Sequence, residues 1–327
     1  MSFDNLNTAS TKKVNLAVMI LFTVIALTIT VFLPFINFIS LAFLSIPAAL
    51  LMVNNRIRDA VICAVAGIIL LYIFNYILAT ALLVVVLSIS FEYRYIIKRD
   101  KKIVFAVLGI FAIFIFSIAL FILIASIESR KNIITGVISE YYKYIDNMAA
   151  DPVVKNYQNL LLINSSEFNS LIEQTKPVLR YMPYLIPSFL LVYFGVVSLL
   201  NYYFSYLFFR RYDVNLKPLP AFKDWDLPWY WCWGVIIGII LIIIPQFSRH
   251  FYTVISAAGL NLIIVFGFLY LILGTAALWG FFDRVNFKSY WRYFILVLIF
   301  LTPGLVIFLP VFGLIDIWAN FRKLNRT

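Results

Sequence analysis

The chain has 327 residues, 64% of them hydrophobic and 13% charged, with a formal net charge of +11 and a mean hydropathy of +0.98. Soluble domains carry about 25% charged residues, so a soluble globular protein is excluded. The basic excess gathers in a few short loops between long apolar runs, as in the cytoplasmic loops of a multi-pass membrane protein, so no nucleic-acid partner is expected.

A membrane-spanning helix needs about 20 predominantly apolar residues, because lipid offers no partner for backbone amides. The leading MSFDNLNTASTKK is too polar and too long for a cleaved signal, so residues 14–33 read as a retained first span. Pro34 divides the first apolar block and opens a second helix over 36–53, loosened by Pro47. A basic loop over 54–59 carries Arg56 and Arg58. Residues 60–93 are too long for one helix, and the break between the third and fourth is expected at Asn75 and Tyr76. The most basic loop follows, with Arg94, Lys98, Arg99, Lys101 and Lys102, and residues 103–127 make a fifth span.

Residues 128–180 change character, carrying six basic and six acidic side chains. Lacking a positive excess, they are expected on the outer side. Ile134, Val137, Ile138, Tyr141, Ile145 and Met148 recur at helical spacing and predict an amphipathic helix. Asp151 before Pro152 is a helix start, and a second short amphipathic helix is expected around 168–172. These helices are expected to pack on the outer mouth of the bundle or lie in the interface; the sharper alternative is a lid or partner-docking surface.

The sixth span covers about 184–209 and ends at Arg210 and Arg211, with Lys217 and Lys223 continuing a cytoplasmic loop. Trp225, Trp229, Tyr230, Trp231 and Trp233 flank and open the apolar block 227–245, as an interfacial aromatic belt does. After Arg249 and His250, residues 251–282 form a helix free to tilt or break near Gly259 and Asn261. Asp283, Arg284, Lys288 and Arg292 make the next polar loop. Read as one span, the block 293–321 would place Arg322, Lys323 and Arg326 outside, against the charge rule; a turn at Pro303 and Gly304 returns them to the cytoplasm.

Chemistry-bearing patterns are scarce. The chain has no G-x-x-x-x-G-K-[ST], H-E-x-x-H or G-x-S-x-G, and a single histidine, His250. Its cysteines, Cys63 and Cys232, lie in apolar surroundings and suggest neither a disulfide framework nor a metal cluster. No cofactor and no catalytic activity are expected, and active transport would draw on an ion gradient or a separate ATPase. Asp316, within GLIDIWANF, stands out because a carboxylate at bilayer depth is costly and is a functional hypothesis by default. The plainer reading places it near the helix end, pairing with a base such as Arg322 or Lys323. Asn261 must satisfy its amide on protein, water or ligand, with helix packing the favoured reading. Gly234 with Gly238, and Ala60 with Ala64, have the spacing of close helix contacts. Asn201, Tyr202, Tyr203 and Tyr206 can line a cavity or sit in the interface.

The runs LPWYWCWG, GLNLIIVFGFLYLILGTAALWGFF and GLIDIWANFRK resemble the YybS-like family of predicted bacterial membrane proteins, whose function is unassigned. On that likeness Pro228, Asn261, Gly274, Gly313, Asp316, Phe321 and Arg322 occupy recurrent positions, and the resemblance implies a second acid where this chain has Asn320. The N-terminal half, with SIPAAL around Pro47, is similar in outline to solute-binding membrane subunits of vitamin transporters and to rod-shape-determining membrane scaffolds. Subunits of the first kind carry a small-residue contact in their first helix for an energising partner; here Ala60 and Ala64 fall in the third.

These readings converge on an all-α polytopic bundle of nine or ten membrane helices in a bacterial cytoplasmic membrane, N-terminus inside. Its divisions are residues 1–127 (helices one to five), 128–180 (the outer amphipathic segment), 181–211 (the sixth helix), 212–226 (a cytoplasmic loop) and 227–327 (the C-terminal helices). The leading functional expectation is a non-catalytic solute-binding or transport subunit without its own ATPase, built around a polar-lined pocket among the first six helices that opens to the outside beneath residues 128–180. The alternative is a membrane scaffold recruiting cell-envelope assembly proteins. Expected partners are the lipid bilayer and a membrane protein or energising ATPase. Asp316, Arg322, Asn261, Gly274 and Gly313 are the candidate functional or packing residues.

Overall fold

Apolar runs in lipid must satisfy their own amides, and this chain does so with helices. The computed structural model describes residues 14–148, 151–161, 164–244 and 252–324; among them there are fifteen α-helices and no strand. In chain order these are α1 (Leu16–Phe32), α2 (Asn37–Leu44), α3 (Ile46–Val53), α4 (Ile57–Phe74), α5 (Tyr76–Lys98), α6 (Ile103–Ser129), α7 (Ile133–Asn147) and α8 (Pro152–Leu161). They continue as α9 (Ser165–Tyr181), α10 (Ile186–Arg210), α11 (Cys232–Ile243), α12 (Tyr252–Arg284), α13 (Ser289–Leu301), α14 (Pro303–Val306) and α15 (Phe308–Ala319).

Four stretches are long and apolar enough to cross a bilayer: Tyr76–Lys98, Ile103–Ser129, Ser165–Arg210 and Thr253–Arg284. A fifth is added if Ser289–Leu301 and Pro303–Ala319, bent by 107° at Thr302, count as one span. Leu16–Phe32, Asn37–Val53 and Trp229–Ile243 are apolar but shorter. The chain divides into two compact units, Met1–Ile134 with Tyr193–Leu219, and Thr135–Val192 with Pro220–Thr327.

In the first unit the breaks fall where local chemistry predicts them. Pro34 opens a short 3₁₀ turn after α1, and Pro47 sits in the first turn of α3, where its missing amide costs nothing. Asn75 ends α4 in an extended conformation and caps α5, its Oδ1 accepting from the Leu78 amide at 2.9 Å. Thr23 of α1 lies against Gly67 of α4, and its hydroxyl is 3.4 Å from the Cys63 thiol. Ala60 and Ala64 of α4 are fully buried. The break at Ser45 interrupts the helical ladder, and Asn201 of α10 fills the gap: its amide donates to the Ala42 carbonyl at 2.6 Å and to the Ser45 hydroxyl at 2.9 Å, while its oxygen accepts from Tyr93 at 2.8 Å. Asn201 and Tyr202 are therefore packing residues of the core; Tyr203 is exposed.

Three basic stretches meet at one end of this unit. Arg56 donates to the Val14 carbonyl at 2.6 Å and pairs with Asp59, Arg94 donates to the Met52 carbonyl at 3.0 Å, and Lys217 pairs with Asp100 at 2.7 Å.

α7, which starts at the end of the first unit and lies mostly in the second, forms over the amphipathic stretch, with Ile145 buried while Ile134 and Val137 stay 49% and 62% exposed. Asp151 caps α8, accepting from the Val153 amide at 2.7 Å. The short helix expected around 168–172 is corrected to a 17-residue helix, α9, which tolerates Pro177. Tyr141 donates to the Leu179 carbonyl at 2.9 Å, and Asp146 pairs with Arg180. Of the two alternatives near Gly259 and Asn261, a tilt or a break, there is no break: α12 runs unbroken for 33 residues, about 50 Å at 1.5 Å per residue. The α11 pair Gly234 and Gly238 does make a close contact: a Cβ on Gly234 would meet the Phe266 ring at 2.2 Å, and one on Gly238 would lie 3.1 Å from the Gly259 carbonyl oxygen. His250 and Arg249 lie outside the described residues, as does Arg326.

Candidate functional site

Four of the five candidate residues meet where α12 crosses α15. Gly274 and Gly313 face each other so closely that a Cβ on Gly274 would lie 1.8 Å from the Leu309 carbonyl oxygen, and one on Gly313 would lie 2.5 Å from that of Tyr270. Beside this crossing Tyr270, Leu273 and Ile317 are buried, packed with Phe266, Leu314 and Trp225. Asp316 projects from α15 at 0% exposure. Its Oδ1 accepts from the Phe321 amide at 2.9 Å, closing the helix end, and its Oδ2 accepts from Arg322 Nε at 2.9 Å and Nη2 at 2.8 Å.

Arg322 is itself held on every side. Nη1 donates to the carbonyls of Lys223 at 2.7 Å and Trp225 at 2.6 Å, and Nη2 lies 3.5 Å from Asp226. The guanidinium thus joins the end of α15 to the segment preceding α11, with its charge met by two carboxylates. Position 320, where the resemblance implies a second acid, is not an acid here, and the second carboxylate near Arg322 is that of Asp226. Asn320 terminates α15 in the left-handed region, φ 45° and ψ 52°, which asparagine tolerates better than most residues. Its side chain brackets the following turn, donating to the Leu324 carbonyl and accepting from the Leu324 amide. Asp226 was not singled out in sequence, where it is one of three acids, with Asp213 and Asp224, in the loop 212–226.

Asn261 lies elsewhere in the unit, beside the start of α10. Its oxygen accepts from the Ser188 amide at 2.8 Å, and its Nδ2 donates at 2.7 Å to the carbonyls of Tyr184 and Ala257. Ser188 N–H belongs to a first helical turn with no partner of its own, so Asn261 clamps the 3₁₀ turn Met182–Leu185 and the opening of α10 onto α12. Asn261→Ala is expected to cost about 1–3 kcal/mol, since the amide of the buried Ser188 is left without a partner, read as a lower unfolding midpoint in detergent.

The first unit holds a different feature. A groove of about 610 Å³ runs between α1, the α2–α3 segment and the last turns of α10. Its walls include Phe22, Ile25, Ile29, Phe43 and Phe204, with Phe43 and Phe204 stacked at 4.2 Å. Ser40 is in the wall, but its hydroxyl donates to the Asn37 carbonyl and accepts from Thr30. Arg211 is the one charged residue of the lining. The groove is thus apolar with a single cation, its wall positions taken mainly by phenylalanine and isoleucine, and it is not the polar-lined pocket expected beneath residues 128–180. Another residue not singled out is Glu92 of α5, whose carboxylate lies where a Cβ on Gly109 would be, at 2.3 Å.

A family model described as "Predicted membrane protein (DUF2232)" matches residues 20–317. No curated protein and no solved structure matches the chain. The resemblance to a family of predicted membrane proteins therefore holds at that level; its YybS-like name and the vitamin-transporter outline are not part of the match.

Proposed function

The chain belongs to this DUF2232 family of predicted membrane proteins, and from that premise we propose that it is a non-catalytic, multi-pass protein of the bacterial cytoplasmic membrane that binds a lipid-like solute for transport. The groove between α1, the α2–α3 segment and α10 carries this reading. Its volume of about 610 Å³ lies within the range of small-molecule sites, roughly 300–1,000 Å³, and its apolar walls suit an acyl chain better than a water-soluble vitamin. The polypeptide threads the membrane nine or ten times with its N-terminus inside, supported by the gathering of Arg56, Arg94 and Lys217 at one end of the first unit. Energy for release comes from a membrane partner or a separate ATPase. The buried acid Asp316 favours a structural role over catalysis, since Arg322 and the Phe321 amide occupy its oxygens.

Affinity purification in mild detergent, with mass spectrometry of retained small molecules and co-purifying proteins, tests the proposal. A stoichiometric lipid-like molecule or an ATPase partner is the expected result. Envelope-assembly proteins without any ligand would replace it with the scaffold reading.

A further inference from the structure

We propose that the groove takes one acyl chain of an anionic bilayer phospholipid and that Arg211 holds its phosphate; this rests on the reading above that the groove is the binding site. Three observations point to this occupant. The groove is open along its flank: Phe22, Ile25, Ile39 and Leu207, at 49%, 47%, 39% and 41% exposure, line it. A ligand therefore enters sideways from the hydrocarbon, and a second chain can remain in the bilayer. The only polar wall residue besides Arg211 is Ser40, whose hydroxyl is engaged by Thr30 and Asn37, so the groove has no place for a polar body. Arg211 lies just beyond the C-terminus of α10, and no carboxylate is within ion-pair distance of it among the described residues. Two acids of the unit are already committed, Asp59 to Arg56 and Asp100 to Lys217, and Asp213, two residues from Arg211, makes no ion pair with it.

A guanidinium presents its donors in a planar fork that matches phosphate oxygens two at a time. Beside an apolar channel it selects a molecule with an anionic head and a hydrocarbon tail. A zwitterionic head places a cation next to the same phosphate and weakens the attraction, so the site discriminates by net head charge.

The test is native mass spectrometry of the full-length, delipidated protein in detergent, titrated with phosphatidylglycerol or phosphatidylcholine of matched chains. Wild type is expected to retain phosphatidylglycerol about tenfold more tightly, the scale of one charge-assisted hydrogen bond. Arg211→Gln is expected to abolish the preference without changing the melting temperature. Ile25→Trp, which fills the groove from a half-exposed position, is expected to weaken both lipids. Equal retention of the two lipids by wild type, or a preference surviving in Arg211→Gln, overturns the headgroup assignment. If Ile25→Trp still weakens binding in that case, the groove reading stands. Binding indifferent to both substitutions overturns the groove reading and the headgroup assignment together.

Discussion

Gly274→Ala is expected to leave little folded protein. The added methyl would sit 1.8 Å from the Leu309 carbonyl oxygen and 2.6 Å from its carbon, and neither is a side-chain end that can rotate away. Relief requires α15 to lift from α12, which opens the packing of Tyr270, Leu273 and Ile317. Ordinary overpacking costs about 1–3 kcal/mol, and a clash with backbone exceeds that range because no rotamer change absorbs it. Gly267→Ala, in the same helix, is the control: nothing lies within 4 Å of its Cβ position, so stability is expected to hold or rise by up to about 1 kcal/mol from helix propensity. Monodisperse protein by size-exclusion chromatography and the melting temperature in detergent read the difference. A Gly274→Ala protein as stable as wild type would rule out the close crossing.

Asp316→Asn should destabilise the fold by about 3–5 kcal/mol, the cost of breaking a buried ion pair by removing one partner. The side chains of Arg322 and Asp316 are only 3% and 1% exposed, so water cannot take over the lost charge and added salt screens it little. The double substitution Asp316→Leu with Arg322→Met removes both charges and is expected to recover much of the loss, though not the bonds to the Lys223 and Trp225 carbonyls. Asp226→Asn, at 3.5 Å and 25% exposed, should cost below about 1 kcal/mol. Denaturant titration of the purified variants ranks them. If Asp316→Asn unfolds where wild type does, the pair does not hold α15 to the segment before α11.

Features that depend on neighbours in the chain were readable from sequence. Asn75 breaks one apolar run and caps the next helix, Pro34 and Pro303 start new segments, and Asp151 caps α8. Each signal acts within one helical turn. Reading failed where a distant group changed the local balance. Asn261 looked like a place where α12 could break, yet its side chain bonds outward to Ser188 and Tyr184 and the helix runs on. Asp316 with a nearby base was readable from sequence and Gly274 and Gly313 were suggested by resemblance, but the contact between those glycines, and the capture of Arg322 by Asp226 and two loop carbonyls, join segments far apart in the chain.

Composition and the length of the apolar runs alone determined that this is a helical membrane protein, because backbone amides in lipid can only be satisfied within the segment. Tertiary structure alone decided which polar residues act as clamps, that Asp316 takes Arg322 rather than Lys323 as its base, and that the groove beside α1 and α10 is apolar with Arg211 at its edge. The physical reason is that an apolar side chain reads the same in sequence whether it faces lipid, a neighbouring helix or an open groove. Only the packing of distant helices separates the three.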